Sequence, residues 1–309
     1  MDLPDRVRTS CARVADQARH VRIDDAALDA LARTLGADGL PARVDDAQFT
    51  SLGDVDTDIA FAFVMNAVNF GSGWFPVVRK RDGMSGAVTM GANLRDAWER
   101  DGVWSPSDLV ALDVDIVART FGQDVDGPAG DLMALFAIAL HDLGRLVLDR
   151  YDGAYERLID ASGGSAARLA ELLTDMPLYG DVAVHHDEHV AFYKRAQLTP
   201  AALANTVGVA FDDLDRLTIF ADNLVPHVLR VEGVLRYDES LATRIDAEEL
   251  LPHGSAEEVE IRACGVTACE RLAAQLGTRP ALLDFVLWNR GQQRRYKAVP
   301  RHRTRCPYY

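Results

Sequence analysis

Leu132-Met133-Ala134-Leu135-Phe136-Ala137-Ile138-Ala139-Leu140-His141-Asp142-Leu143-Gly144-Arg145-Leu146-Val147-Leu148-Asp149-Arg150-Tyr151 is the stretch on which the fold turns. Its apolar residues recur at helical spacing and cover most sides of the cylinder they would form, so it reads as a central buried helix. The same period extends to both sides. Residues 26–35 form a short amphipathic helix stopped by Gly36. Ser105-Pro106 supplies an N-cap and a first-turn proline for another, with Gly122 just beyond its end. Thr199-Pro200 starts a further helix, and Ser255-Ala256-Glu257-Glu258 is a capping box heading a long one to about Leu276. Thr278-Arg279-Pro280 opens the last, through Trp288. One segment departs from the pattern: residues 74–79 and 87–90 flank Asp82-Gly83 and read as a β-hairpin. The expected fold is therefore mainly α, with a small β-hairpin in the N-terminal half.

The chain has 309 residues, 48% of them apolar, enough for a sizeable core. With no repeat, low-complexity tract or long linker, residues 1–309 read as one domain, with 1–125 packed on 126–309 as the one subdivision considered. The start, Met1-Asp2-Leu3-Pro4-Asp5-Arg6, lacks an apolar segment after a basic patch, and the runs 59–65 and 132–140 are too short to span a bilayer. A cytoplasmic protein with no membrane partner is expected. Cys11, Cys264, Cys269 and Cys306 form neither a disulfide framework nor a CxxC zinc pattern and read as buried or idle thiols.

The net charge of −14 argues against a broad nucleic-acid face. It is unevenly spread. Residues 290–309 hold seven Lys or Arg, with His302 and no acid, and setting those seven charges apart leaves −21 on the rest. A basic tail on an acidic body suits one small concentrated anion such as phosphate, or else it is a solvated terminus.

Four motifs bear chemistry. His141-Asp142 matches part of the metal site of HD phosphohydrolases, but no further set of ligands accompanies it, and a hydrogen-bonded structural role competes. His185-His186-Asp187-Glu188-His189 lacks HExxH spacing and reads as a polar surface turn, so no metal is expected. Phe192-Tyr193-Lys194-Arg195-Ala196-Gln197 combines aromatic faces, positive charge and an amide, as a nucleotide site needs, though a core stripe with a basic edge has the same composition. Leu217-Thr218-Ile219-Phe220-Ala221-Asp222 ends an apolar run on an acid, with Pro226 four residues on. That acid is either a helix cap or a carboxylate in a partly dry pocket, the kind glycoside cleavage uses.

Taken in order, these motifs resemble the queuosine salvage protein family, the queuosine 5'-phosphate N-glycosidases. The resemblance rests on Asn69-Phe70 with Trp74 shortly after, and on His141-Asp142-Leu143-Gly144-Arg145. It continues through the 192–197 stretch, Thr218 to Pro226, Val259-Glu260-Ile261-Arg262-Ala263-Cys264, Leu287-Trp288, and the closing residues from His302 to Tyr309. It implies a compact helical fold related to helix-hairpin-helix DNA glycosylases, a metal-independent and cofactor-free enzyme, and hydrolysis of the N-glycosidic bond of a 7-deazaguanine nucleotide. It carries Asp222 and Lys194 over as catalytic residues. Expected substrate contacts are Asn66, Asn69, Phe70, Trp74, Phe192, Arg195, Asn223, His227, His302, Arg303 and Arg305, with the base against Phe70, Trp74 and Phe192. The 5'-phosphate would meet Lys194, Arg195 or the tail cations. The expected partner is a small nucleotide, not a nucleic-acid polymer, and the protein is taken as a monomer.

The chain departs from the family pattern at three places. Asn66 stands where the family has an Asp, Asn223-Leu224 where it has Tyr-Arg, and His227 where it has Gln. Loss of an acid and an aromatic suits an uncharged or smaller deazapurine; neutral drift explains it equally. An HD-type metal phosphohydrolase and a non-catalytic modified-nucleotide binding protein are the rival readings.

Overall fold

The computed structural model describes residues 1–41 and 51–309. Its first half contains α1 (Leu3–Gln17), α2 (Asp25–Asp38), α3 (Val55–Ala67), α4 (Gly86–Asp101), α5 (Pro106–Ala111), α6 (Val114–Thr120) and α7 (Gly130–Tyr151). There follow α8 (Tyr155–Asp160), α9 (Ala166–Leu173), α10 (Lys194–Ala202), α11 (Leu224–Val231), α12 (Glu239–Asp246), α13 (Ala256–Leu276), α14 (Pro280–Arg290) and α15 (Arg294–Lys297). Strands are short: β1 (Val21–Ile23) pairs antiparallel with β4 (Leu235–Tyr237), and β2 (Val182–His185) pairs antiparallel with β3 (Glu188–Ala191). The fold is mainly α. No helix among the described residues is long and apolar enough to cross a membrane.

Local chemistry starts most helices. The side chains of Asp2, Asp24, Asp54, Ser85, Ser105, Asp113, Ser165, Asp238 and Ser255 each accept a backbone N–H from the first turn that follows, satisfying donors the helix cannot pair itself. The core is continuous. Val7 and Cys11 of α1, Phe61 and Phe63 of α3, Phe136 and Leu140 of α7, and Ile261, Cys264 and Leu272 of α13 belong to one buried cluster. The four cysteines are free and buried.

The structure corrects several sequence expectations. No hairpin forms over 74–90. Pro76 removes a donor from the would-be first strand, and residues 74–78 turn back on themselves through Trp74 N–H to the Gly71 carbonyl and Val78 N–H to the Trp74 carbonyl. Residues 87–90 lie in α4, because Ser85 caps that helix by accepting from Val88 N–H. The hairpin that does form is β2–β3, and its turn is His186-Asp187, both with positive φ. Gly36 does not stop α2, which runs to Asp38 with Gly39 as its C-cap. The helix after Ser105 is two short ones, since Asp113 caps a second start. Lys194, not Thr199, opens α10, so Pro200 sits inside it, and the wide turn over Leu203–Val207 follows. The helix α10 is buried along its whole length and α3 from Asp58 to Ala67, whereas α7 leaves Ile138 and Leu148 exposed.

Candidate functional site

A cavity of about 320 Å³ lies between the segment after α3 and the start of α4 on one side, and α10, α11, α14 and the C-terminal residues on the other. That volume is in the range of small-molecule sites. Asn69, Lys194, Asp222 and Asp284 supply its inner polar groups; Phe70, Phe75, Phe220, Phe285 and Trp288 supply flat apolar surface. Gly86 permits part of this shape: a Cβ there would meet the Phe75 ring at 2.6 Å.

One buried clamp places both ends of the polar group. Arg262 of α13, fully buried, donates to both oxygens of Asp181 at 3.0 and 2.7 Å and from Nε to the Ala221 carbonyl at 3.0 Å. Its guanidinium lies 3.9 Å from the Phe192 ring centre and 4.6 Å from that of Tyr309. Asp181 in turn accepts from Lys194 N–H at 3.1 Å. The first residue of α10 and the residue before Asp222 are thus tied to a single guanidinium. Asp222 Oδ1 accepts from Leu224 N–H at 2.8 Å and Val225 N–H at 3.0 Å. Asp222 therefore caps α11 with one oxygen while standing on the cavity wall, which joins the two alternatives its sequence context offered.

Lys194 is 5% exposed, and its Nζ donates to Asn69 at the carbonyl (2.8 Å) and Oδ1 (3.0 Å). Burial pulls its pKa down to about 8, opposed first by the charge of Asp222. Asp284 of α14 is 5% exposed and accepts Phe220 N–H at 2.9 Å. Burial, and next the Asp222 charge, hold its carboxyl well above the ordinary range, so it keeps its proton where an exposed carboxyl would have lost it. His227 donates from Nε2 to the Tyr296 carbonyl at 2.9 Å, and burial draws its pKa down to about 4. The ring is neutral at pH 7.

Of the residues singled out in the sequence, Asp222, Lys194, Asn69, Phe70, Asn223, His227 and Arg303 meet on this wall. The others lie elsewhere. Asn66 is 4% exposed inside α3 and donates to the Ala62 carbonyl. Phe192 packs under Arg262. Arg195 is sandwiched between the Phe70 and Tyr179 rings and donates to the carbonyls of Ala67, Leu178 and Pro307. His302 is 1% exposed, with burial holding its pKa near 3. Arg305 leans over Trp74 away from the cavity. Burial encloses Asn66, Phe192, Arg195 and His302, while Arg305 stays exposed. Sequence reasoning missed Asp284, whose signal was available: an acid in the middle of the apolar run from Ala281 to Trp288. It also passed over Lys80, which has no such signal.

Of the His141-Asp142 pair, the histidine is tied to the backbone. His141 donates from Nε2 to the Leu112 carbonyl at 2.6 Å, and no group of three or more His, Cys, Asp or Glu among the described residues is placed to share a metal ion.

The profile of a family described as queuosine salvage protein matches residues 51–309, the span that holds every residue of the cavity wall. Among similar curated proteins, the queuosine 5'-phosphate N-glycosylase/hydrolase of Sphaerobacter thermophilus is 34% identical over 320 residues, covering 98% of this chain and 97% of its own. The Bos taurus protein of that name is 28% identical over 336 residues, covering 98% of each chain. The Mus musculus protein is 33% identical over 189 residues, covering 55% of this chain and 56% of its own.

Proposed function

The chain belongs to the queuosine salvage protein family, and on that premise we propose that it hydrolyses the N-glycosidic bond of queuosine 5'-phosphate or a closely related 7-deazaguanine nucleotide. The observation that carries this reading is the meeting of Asp222 and Lys194 in one partly dry cavity lined by aromatic faces. Cleavage of an N-ribosidic bond develops positive charge at C1', as in O-glycosides. A carboxylate there stabilises the cation and takes a proton from the attacking water. Asp222 suits both tasks, because Leu224 and Val225 fix Oδ1 while Oδ2 has no donor among the described residues. Lys194, held by Asn69, balances the charge of the carboxylate.

A 7-deazapurine has no N7 lone pair, so the departing base must gain its proton elsewhere. Asp284 supports that step, since its environment retains a proton beside Asp222. As C1'–N9 breaks, the electron pair leaves with the base, a proton passes to the base, and hydroxide from water joins C1'. The products are free base and ribose 5-phosphate. No metal or cofactor is needed. Kinship to helix-hairpin-helix DNA glycosylases, a cytoplasmic location, a monomeric state and a small nucleotide rather than a polymer as substrate are parts of the same reading; the net charge of −14 favours the last.

Incubation with queuosine 5'-phosphate and a panel of 7-deazapurine nucleosides and nucleotides, scored for free base by mass spectrometry, tests the proposal. Base release from the queuosine nucleotide is expected. Intact nucleotide throughout the panel, with the protein folded, would overturn it and favour a binding protein.

A further inference from the structure

Two consecutive residues at the start of α10 grip one short segment. Lys194 Nζ takes both oxygens of Asn69, the carbonyl at 2.8 Å and Oδ1 at 3.0 Å. Arg195 takes the residues that bracket Asn69. Its Nη1 donates to the carbonyl of Ala67, the last residue of α3, and its guanidinium lies 4.6 Å from the centre of the Phe70 ring. The Ala67 carbonyl is one that a helix leaves without an internal partner, and a cation there meets the negative end of the helix dipole. Between these two holds the backbone turns through Asn69 N–H to the Asn66 carbonyl at 3.3 Å and Phe70 N–H to the Val68 carbonyl at 2.8 Å. Asn69 and Phe70 line the cavity, whereas Arg195, 2% exposed, stands behind them.

Further contacts fix the guanidinium itself. Nη2 donates to the carbonyls of Leu178 and Pro307, the latter at 2.8 Å, and the Tyr179 ring centre lies 4.5 Å away. Arg262 is held by the carboxylates of Asp181 and Glu258. Arg195 is held by three main-chain carbonyls and two rings, a set that a planar fork can satisfy and a point charge cannot. What it immobilises is therefore main chain at the cavity wall. We propose that Arg195 is a positioning residue: by holding Ala67 and Phe70 it sets Asn69 opposite Lys194 Nζ, and so keeps that ammonium on the wall it shares with Asp222. Its consequence for turnover rests on the N-glycosidase reading; the placement of Lys194 does not.

Arg195→Lys separates position from charge. Burial draws the Lys194 pKa down, Asp222 raises it, Arg195 lowers it, and Asp284 and Asp181 raise it. All four charges survive this substitution, while one ammonium cannot reach three carbonyls or lie flat against two rings. The chain has three lysines, Lys80, Lys194 and Lys297, so lysine-selective isotope labelling lets NMR follow each titration in the intact protein. In the wild type Lys194 should titrate at about 8. In Arg195→Lys the ammonium loses a well-placed acceptor, and its midpoint should drop by ~1 pH unit, the worth of one charge-assisted hydrogen bond. The kcat for base release from queuosine 5'-phosphate should fall at least ~10-fold. Tyr179→Leu, which loosens the stack from outside the cavity and keeps Arg195, should move both readouts the same way by less, and it decides the matter if Arg195→Lys does not fold. Folded but less stable variants that keep the Lys194 midpoint, or keep kcat, overturn the proposal, because a purely structural arginine would move stability alone. A lowered midpoint in a protein whose wild type releases no base sustains the placement and overturns only the N-glycosidase reading.

Discussion

Burial brings the Lys194 pKa down to about 8 from the ordinary lysine value of 10.5, with Asp222 pulling the other way. Between those two pH values the unfolded chain holds a proton that the folded chain has released, so stability rises with pH across that window. Activity should move the opposite way. If the ammonium must balance Asp222, kcat/KM falls as pH climbs through about 8, and Lys194→Arg, which stays charged, loses that limb whatever its absolute rate. A limb unchanged in the arginine variant would assign it to another group. At this scale the sequence was informative about identity and poor about burial. Asp222 and Lys194 stand in motifs that named them, but Arg195 and His302 looked equally available until the structure enclosed them. A charged letter carries no mark of what covers it. Asp284 did carry one, an acid amid apolar neighbours, and that mark was overlooked.

The elements are held in place by a few contacts between distant parts of the chain. Arg262 connects α13 to Asp181, to the Ala221 carbonyl and, through Asp181, to the start of α10. Arg262→Met keeps the bulk but strands Asp181 and also Glu258, whose Oε1 lies 3.5 Å from Arg262 Nη1, so unfolding free energy should drop by about 3–5 kcal/mol, read by chemical denaturation, with base release falling beyond what the unfolded fraction explains. A loss under ~1 kcal/mol would show that the flanking rings, not the charge pair, hold the clamp. Gly73 offers a second case: a Cβ there would lie 2.3 Å from the Thr304 carbonyl oxygen. Gly73→Ala should cost about 1–3 kcal/mol and raise KM, because residues 301–303 are displaced with Thr304; wild-type stability and KM would contradict that path. Helix starts were legible wherever Ser or Asp capped them, as at Ser105 and Ser255. The false hairpin over 74–90 fell to local signals that were passed over, Pro76 and the Ser85 cap, whereas the misplaced start of α10 reflects a tertiary contact, Asp181 on Lys194 N–H.

Across the whole molecule, a strongly acidic chain brings Lys80, Arg301 and Arg303 to the wall of a cavity that also holds two carboxyls and a lysine. Periodicity and composition made the mainly α fold readable; the cavity was not, because its wall is assembled from residues 69 to 309, and only folding brings them together. The central claim is that Asp222 performs chemistry there and does not serve binding alone. The direct test pairs the rate of free-base release from queuosine 5'-phosphate with calorimetric affinity for the intact nucleotide, in wild type and Asp222→Asn. The asparagine can still accept the Leu224 and Val225 N–H groups, so fold and affinity should survive within a few-fold while the rate falls by at least ~10²-fold, the usual worth of a positioned base. Base release by Asp222→Asn at the wild-type rate, with affinity intact, would contradict the claim.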